Sequence, residues 1–345
     1  MQRTPVLICG TTTPHGTGGI STWLVSWPEQ PDGEPAPTAE QTGALTLGDA
    51  SWVTPVGDRL AVIGERDHHL WLVRPGECPT VEADLDLVGG EPCHAALDPT
   101  GRILAVAHYG SGEVSLVDLD SWGRPPHVLT RCGFEGHGPV ADRQAGAHAH
   151  HILWLDRTHL ALCDLGSDLV RILRLSDAGL EQVGELRTPA GLGPRHAVLR
   201  RDGGKQVLTV TGELSGSVFS WSRPAGEDAW ARQWRPVVET PTSRQPGAVP
   251  SGLVPGPDGT LLVANRGTGT LGVLRGRFGR LTLTDEVPLS GRHPRDLTSD
   301  GSRVWVADRA EGTVECLTLG EDGARRELVL AYHGASRVLV GPTLG

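Results

Sequence analysis

Several arginines and histidines, one glutamate and one tyrosine stand at matched places in a repeated unit of this 345-residue chain, where together they could carry chemistry on an anion. Arg195, Arg266, Arg295 and Arg309 can grip a carboxylate or phosphate through a planar fork of donors, or steady an oxyanion as it forms. A glutamate among such cations, Glu213, is expected to be ionised and available as a base. A histidine crowded by arginines tends to lose its proton, so His148 is expected to accept one at neutral pH. Such a set suits attack of water on an ester or lactone carbonyl, or proton transfer beside a carboxylate.

Other residue types compete for the same chemistry and fare worse. In A-H-A-H-H at 147–151, strand alternation would put His148 and His150 on one face and His151 on the other. Two histidines at i, i+2 could begin a metal site, but no third ligand stands near and the arginines would oppose a cation, so no metal is expected. Cys93 and Cys163 lie in apolar strand contexts, which does not suit a reactive thiolate. T-G-G at 17–19 is a hairpin turn and leads into no helix, so it is no phosphate loop. Taken singly, Asp164, Asn265 and Asp308 read as caps of turns, and His94 and His108 as packed histidines.

The elements that must position these residues recur seven times. ICGTTTPHGTGGISTWLV from Ile8, AVIGERDHHLWLV from Ala61, LAVAHYGSGEVSLVDL from Leu104 and LALCDLGSDLVRIL from Leu160 share one plan with three later copies. The later copies are LTVTGELSGSVFSW from Leu208, LLVANRGTGTLGVL from Leu261 and VWVADRAEGTVECL from Val304. Each is an apolar run, a polar pair, a Gly-rich turn and a second alternating run, which is hairpin chemistry. Repeat anchors at Glu65, His108, Asp164, Glu213, Asn265 and Asp308 lie 43 to 56 residues apart, the length of one four-stranded blade. The fold class is all-β: a seven-bladed β-propeller of four-stranded antiparallel blades, one closed domain over 1–345.

Between hairpins, segments such as GEPCHAALDP from Gly90, GAHAHHILWL from Gly146, GPRHAVLRRD from Gly193, PSGLVPGPDG from Pro250 and GRHPRDLTSD from Gly291 read as the innermost strands. Fourth strands are weaker, as at 39–47 and 234–238. The first hairpin has no inner strand before it, and 337–341 is an apolar strand with no hairpin after it. Pairing these two ends in one blade would close the ring and remove its sheet edges. Antiparallel neighbours then place the start of each inner strand beside the end of each second strand. His94, His148, His150, Arg195 and Arg295 should therefore meet Tyr109, Asp164, Glu213, Arg266 and Arg309 around the mouth of the central channel.

Bulk properties set the limits. The hydrophobic share of 38% suits thin apolar layers between blades, and 47 Gly with 26 Pro suit many tight turns. The segment 28–37 reads as a surface loop. A formal charge of −10 argues against nucleic acid as a partner, although 31 Lys and Arg include only one lysine, Lys205. Six cysteines without a C-x-x-C pair read as buried, reduced thiols of a cytoplasmic protein. The start of the chain is too polar for a signal peptide, and no apolar stretch is long enough to span a membrane.

At these residues the chain resembles the lactonase family of seven-bladed propellers, which includes propeller-type 6-phosphogluconolactonase and carboxy-cis,cis-muconate cyclase. The resemblance runs through GTTTPHGTGGI, PCHAALDPTGRILAVAHYGSGEVSL, GPVADRQAGAHAHHI and CDLGSDLVRIL, then GPRH, GEL, ANRG and PRD in order. It implies that His148, Arg195, Glu213 and Arg266 are the catalytic set, with no metal or organic cofactor. Arg295, His150, Tyr109 and Arg309 are expected to bind substrate. Three positions depart from the family pattern: Thr11 or Thr12 replaces an aromatic, Gly212 an asparagine before the glutamate, and His108 an asparagine before Tyr109.

The expected function is hydrolysis of a sugar lactone, acidic or phosphorylated, by general-base attack of water with the anionic substrate held by arginine. The alternatives are a muconate-type cycloisomerase and a non-catalytic propeller that binds a ligand or protein at its rim. The expected partner is a small anionic substrate, with no nucleic acid and no membrane, and the chain is expected to be a monomer or weak homo-oligomer.

Overall fold

In the computed structural model, residues 2–14, 16–28, 36–119, 125–226, 230, 232–320 and 323–341 are described. The expected loop at 28–37 lies mostly outside them. The described residues form seven four-stranded antiparallel sheets, each built from strands consecutive in sequence except the first. Blade 1 joins Gln2–Gly10, Gly18–Trp27 and Thr38–Gly48 to the last strand of the chain, Ala335–Val340. Blades 2 to 7 follow as 50–86, 92–133, 149–187, 194–241, 249–288 and 294–331. The closing strand thus begins two residues earlier than expected and ends before Gly341. Trp234 lies outside the fourth strand of blade 5, Arg235–Pro241. The inner strand of blade 2, Ala50–Val56, lacks the Pro or His signature of the others and escaped the sequence reading.

Why the blades pack is visible in their apolar alternation. One buried cluster fills each of the seven blade interfaces. At the closure, Val6, Ile8 and Val338 of blade 1 pack against Trp305, Ala307 and Val314 of blade 7, and Trp27 meets Trp305 edge-on at 6.0 Å. Inner-strand serines stitch neighbours together: the Ser336 hydroxyl donates to the Ala50 carbonyl at 3.2 Å and that of Ser251 to the Pro294 carbonyl at 2.6 Å.

One irregularity repeats in every blade and decides where the functional side chains point. The register of each inner strand shifts near its start, at 50/52, 92/94, 149/151, 194/197, 250/253, 294/296 and, on the partner side, opposite Cys9/Gly10. Such a bulge adds a residue to one strand and re-aims its side chain. The added residues form one ring around the axis: Ser51, Cys93, His150, Arg195, Ser251, Arg295 and Ser336. The residues after them form a second, deeper ring: Trp52, His94, His151, His196, Gly252, Asp296 and Arg337.

Candidate active site

The antiparallel register brings the two expected groups of residues to one rim, with Pro194 opposite Gly212, Val249 opposite Arg266 and Pro294 opposite Asp308. Glu213, whose side chain is only 4% exposed, is the centre of the arrangement. Its Oε2 lies 2.9 Å from Arg195 Nε and 2.6 Å from Arg266 Nη2, and its Oε1 accepts a hydrogen bond from Arg143 Nη2 at 2.7 Å. The first two contacts are close in distance, yet neither N–H points at the carboxylate, so they are charge contacts and the Arg143 bond is the aligned one. Arg195 Nη1 and Arg266 Nε are also buried without an acceptor. Buried donors without partners are costly unless something fills the place, and here they crowd one point.

Charges at this point shape one another. Burial alone would raise the Glu213 carboxyl, but Arg266, Arg195 and the hydrogen bond from Arg143 outweigh it and hold it far below the usual carboxylate range. It is ionised, as expected. The same cations make it a weak base, so its expected role as proton acceptor does not follow from its surroundings. Burial and the neighbouring Arg266 pull Arg195 down to about 9, which still leaves it cationic at neutral pH. Burial and Arg195 push His150 well below the usual histidine value, so its ring is neutral.

His148 and Tyr109 flank the carboxylate through Arg143. The Arg143 guanidinium also donates to the Tyr109 hydroxyl at 3.2 Å, and the Tyr109 ring stacks on His148 with centroids 4.4 Å apart. His148 Nδ1 lies 2.8 Å from the Tyr109 carbonyl, which can only accept, so Nδ1 carries a proton and the lone pair of the neutral ring belongs to Nε2. The bulge splits the A-H-A-H-H run differently from simple alternation. His148 precedes the strand at the rim, His150 enters the upper ring, and His151 faces His94 and His196 below, at 4.0 and 4.5 Å between ring centres. Among the described residues no three His, Cys, Asp or Glu side chains are placed to hold a metal ion.

The remaining expected residues divide. Arg295 shares with Cys93, His150 and Arg195 a cavity of about 10 Å³, room for one water. Its Nη2 pairs with Glu65 at 2.8 Å; burial pulls Arg295 down, but Glu65 together with Glu213 and Asp49 holds it above the usual arginine value. Arg309 stands apart from the Glu213 cluster, in a hollow between blades 7 and 1 lined by Thr13, Pro14, His293 and His333. Asp164, Asn265 and Asp308 cap backbone and turns: Asp164 accepts the His148 amide at 2.9 Å and Asp308 the His293 amide at 2.7 Å. His108 is fully buried and bonded to Ser115 Oγ at 2.8 Å. Gly212 has a packing reason, since a Cβ there would sit 2.6 Å from Leu192 Cγ.

Two expectations about cysteine need correction. All six are free, but Cys78 is exposed in the loop before the fourth strand of blade 2, and Cys132 is half-buried on the outermost strand of blade 3. Cys93 lines the cup and not an apolar layer, since the bulge turns it inward. Its thiol points to the His150 carbonyl at 3.4 Å and burial pushes it up, so it stays protonated. Sequence reasoning also missed Arg143 and Glu65 as site residues. Arg143 was within reach, in the R-Q pair of the GPVADRQ segment, but its loop has no periodicity to aim it.

Comparison with known proteins supports the same architecture. The family described as "Lactonase, 7-bladed beta-propeller" matches residues 7–339. A 6-phosphogluconolactonase of Formosa agariphila is 28% identical over 232 residues, 64% of each chain. One of Cronobacter sakazakii is 26% identical over 248 residues, 71% of this chain and 56% of the relative. The chain therefore spans less than two thirds of the length of either curated relative. A periplasmic gluconolactonase of Pseudomonas aeruginosa superposes with a TM-score of 0.84 at 20% identity, covering 99% of this chain and 100% of that one.

Proposed function

The chain belongs to the lactonase family of seven-bladed β-propellers, and we propose on that footing that it hydrolyses a sugar lactone bearing an anionic group at the rim of the channel. The observation that carries this reading is the set of buried guanidinium donors on Arg195 and Arg266 that no protein acceptor satisfies. They are placed for an oxygen that gains charge, and fixed donors of that kind stabilise a transition state without reorganising. His148 Nε2 takes a proton from water, and the hydroxide oxygen bonds to the lactone carbonyl carbon. The carbonyl oxygen becomes an oxyanion between the two arginines. When it collapses, the ring C–O bond breaks and the His148 proton goes to the departing alkoxide. Glu213 holds the three guanidinium groups in place and keeps their repulsion in check.

The relatives' names, 6-phosphogluconolactonase and gluconolactonase, support a sugar lactone. Arg295 and His150 line the same cup, with Tyr109 edge-on to His150 at 5.7 Å. Arg309, in the separate hollow between blades 7 and 1, would meet an anionic substituent only on a substrate long enough to reach it. No step needs a metal or organic cofactor, because the arginines do the polarising. Six free cysteines support a reducing, cytoplasmic setting. No helix among the described residues is long and apolar enough to cross a membrane.

The test is acid release from 6-phosphogluconolactone and glucono-lactone above the spontaneous rate. His148→Gln should lower kcat by about 10²-fold or more, the usual worth of a general base, and Glu213→Gln should cost a similar factor with the ring still folded. Folded protein that is silent on both lactones overturns the reading. Full activity in His148→Gln overturns the assignment of the base, and ring closure in place of opening on a muconate would mark the cycloisomerase.

A further inference from the structure

We infer that Asp168, which touches no reacting group, is the positioning residue of the arginine clamp. The inference rests on the lactonase reading only where it concerns rate. In four other blades the turn between second and third strands is closed by a glycine in the left-handed region, Gly112, Gly216, Gly269 and Gly312, with φ between +65° and +73°. Each donates its amide to the residue four before it at 3.0–3.1 Å. Blade 4 has Asp168 at this place, at φ 53° and ψ 40°. A side chain there carries a conformational cost that glycine avoids, and such strain persists where the side chain is needed. Blade 2 has His68 at the same turn, at φ 54°, but its side chain is exposed.

Asp168 is buried, and its carboxylate gathers two loops. Oδ1 accepts from Gln144 Nε2 at 2.8 Å and from the Gly193 amide at 2.8 Å, and Oδ2 accepts from the Gly191 amide at 2.6 Å. Its backbone carbonyl takes the Thr188 amide at 3.1 Å and hydroxyl at 3.0 Å. Both Oδ1 bonds lead to the clamp. Gln144, fully buried, is the chain neighbour of Arg143. Gly193 is two residues before Arg195, and its carbonyl accepts the Glu213 amide at 2.9 Å. One carboxylate therefore sets the places of Arg143, Arg195 and Glu213 relative to one another. Misplacing such groups by about 1 Å costs roughly 10²-fold in rate.

Asp168→Ala tests this, with Asp168→Asn as the conservative variant, because Asn tolerates the left-handed turn and keeps one acceptor oxygen. On 6-phosphogluconolactone, Asp168→Ala should lower kcat tenfold to hundredfold with little change in KM, and Asp168→Asn should restore most of it. Independently of activity, phenylglyoxal should modify Arg195 slowly in the wild type, where it is 3% exposed, and at least tenfold faster in Asp168→Ala. A lower Tm with unchanged kcat and a protected Arg195 overturns the inference. Wild-type protein without lactone turnover sinks the lactonase reading and leaves the modification experiment to decide on Asp168. If Asp168→Ala does not fold, Gln144→Met removes the Arg143 arm alone. That variant should then lose kcat while Arg195 stays protected, and unchanged kcat would count against the inference.

Discussion

Consecutive residues of the same bulged strands build two rings of opposite character on the propeller axis. In the upper ring His150, Arg195 and Arg295 stand with Glu213 and Arg266 above them, and several buried donors have no acceptor. In the lower ring the charges close on themselves. Arg337 Nη1 meets Asp296 at 2.8 Å, Arg337 Nε donates to the Val53 carbonyl at 3.0 Å, and the guanidinium lies 3.5 Å from the Trp52 ring centre. Beside it Trp52, His94, His151 and His196 pile ring on ring, the first pair 4.2 Å apart. The lower ring nearly satisfies itself, leaving His151 Nδ1 as its buried atom without a partner, whereas the upper ring keeps several donors open, which on the proposed function await the substrate. On that reading, a one-residue step along the strand separates stability from chemistry.

The largest effect should come from acid, and the lower ring supplies three of the histidines behind it, with His150, His108 and His293 adding to the same loss. Burial, with Arg337 and Arg195 nearby, pushes His94 and His196 well below the usual histidine value and His151 down to about 3. Above pH 6.5 these groups are neutral in both folded and unfolded chains and contribute no pH dependence. Below 6.5 the unfolded chain binds protons that the folded chain refuses, so stability falls as pH falls. Each such histidine costs a factor of ten in the folding constant per pH unit, about a thousandfold for three. Glu213 is depressed instead, so the stability it contributes is present above about 4.5 and is lost only at lower pH. Urea unfolding at pH 7.5, 6.5 and 5.5 should therefore show a steep loss, and His151→Phe should flatten the slope by about one proton. An unchanged slope would mean that the lower ring opens to water before the ring unfolds.

The next effect separates the rings directly. Arg337→Met leaves the Asp296 carboxylate buried without its cation and should destabilise the fold by about 3–5 kcal/mol. Arg337→Met with Asp296→Leu should recover most of that, because the pair exists to satisfy itself. Chemical denaturation of the two variants checks this, with kcat per folded molecule close to wild type in the double variant. A collapse of kcat there would show that the lower ring also positions Arg195 and Arg295, and the two rings would be one device.

Much of this was legible in the sequence, and the parts that were not share a cause. Hairpins repeat, so the blades, their number and the closure of blade 1 by the last strand follow from pattern and turn chemistry. The convergence of Arg195, Glu213 and Arg266 follows from antiparallel register alone. The bulges do not, because an added residue leaves the alternation of types nearly intact while it turns His150 inward and His151 down. Ala50–Val56 was missed for want of a marker residue. Arg143 sits on a loop aimed by Gln144 and Asp168, which no periodicity encodes. That Glu213 is ionised could be read from its cationic neighbours. That it is thereby weakened as a base required counting how many cations touch it, and this number is a matter of geometry.

The smallest effect tests how far the upper ring extends. Tyr109→Phe removes the hydroxyl that accepts from Arg143 at 3.2 Å and keeps the ring stacked on His148. Arg143 is 41% exposed and retains its shorter bond to Glu213, so water can replace the lost acceptor. The hydroxyl is then worth about 1 kcal/mol, and kcat/KM should fall roughly fivefold with Tm unchanged. Burial raises the Tyr109 phenol above its usual value, so it is protonated and could in principle donate to a leaving oxygen. A loss of a hundredfold in Tyr109→Phe, confined to kcat, would show that it does so. The proton would then pass from the phenol and not from His148, and Tyr109 would move from the frame of the upper ring into its chemistry.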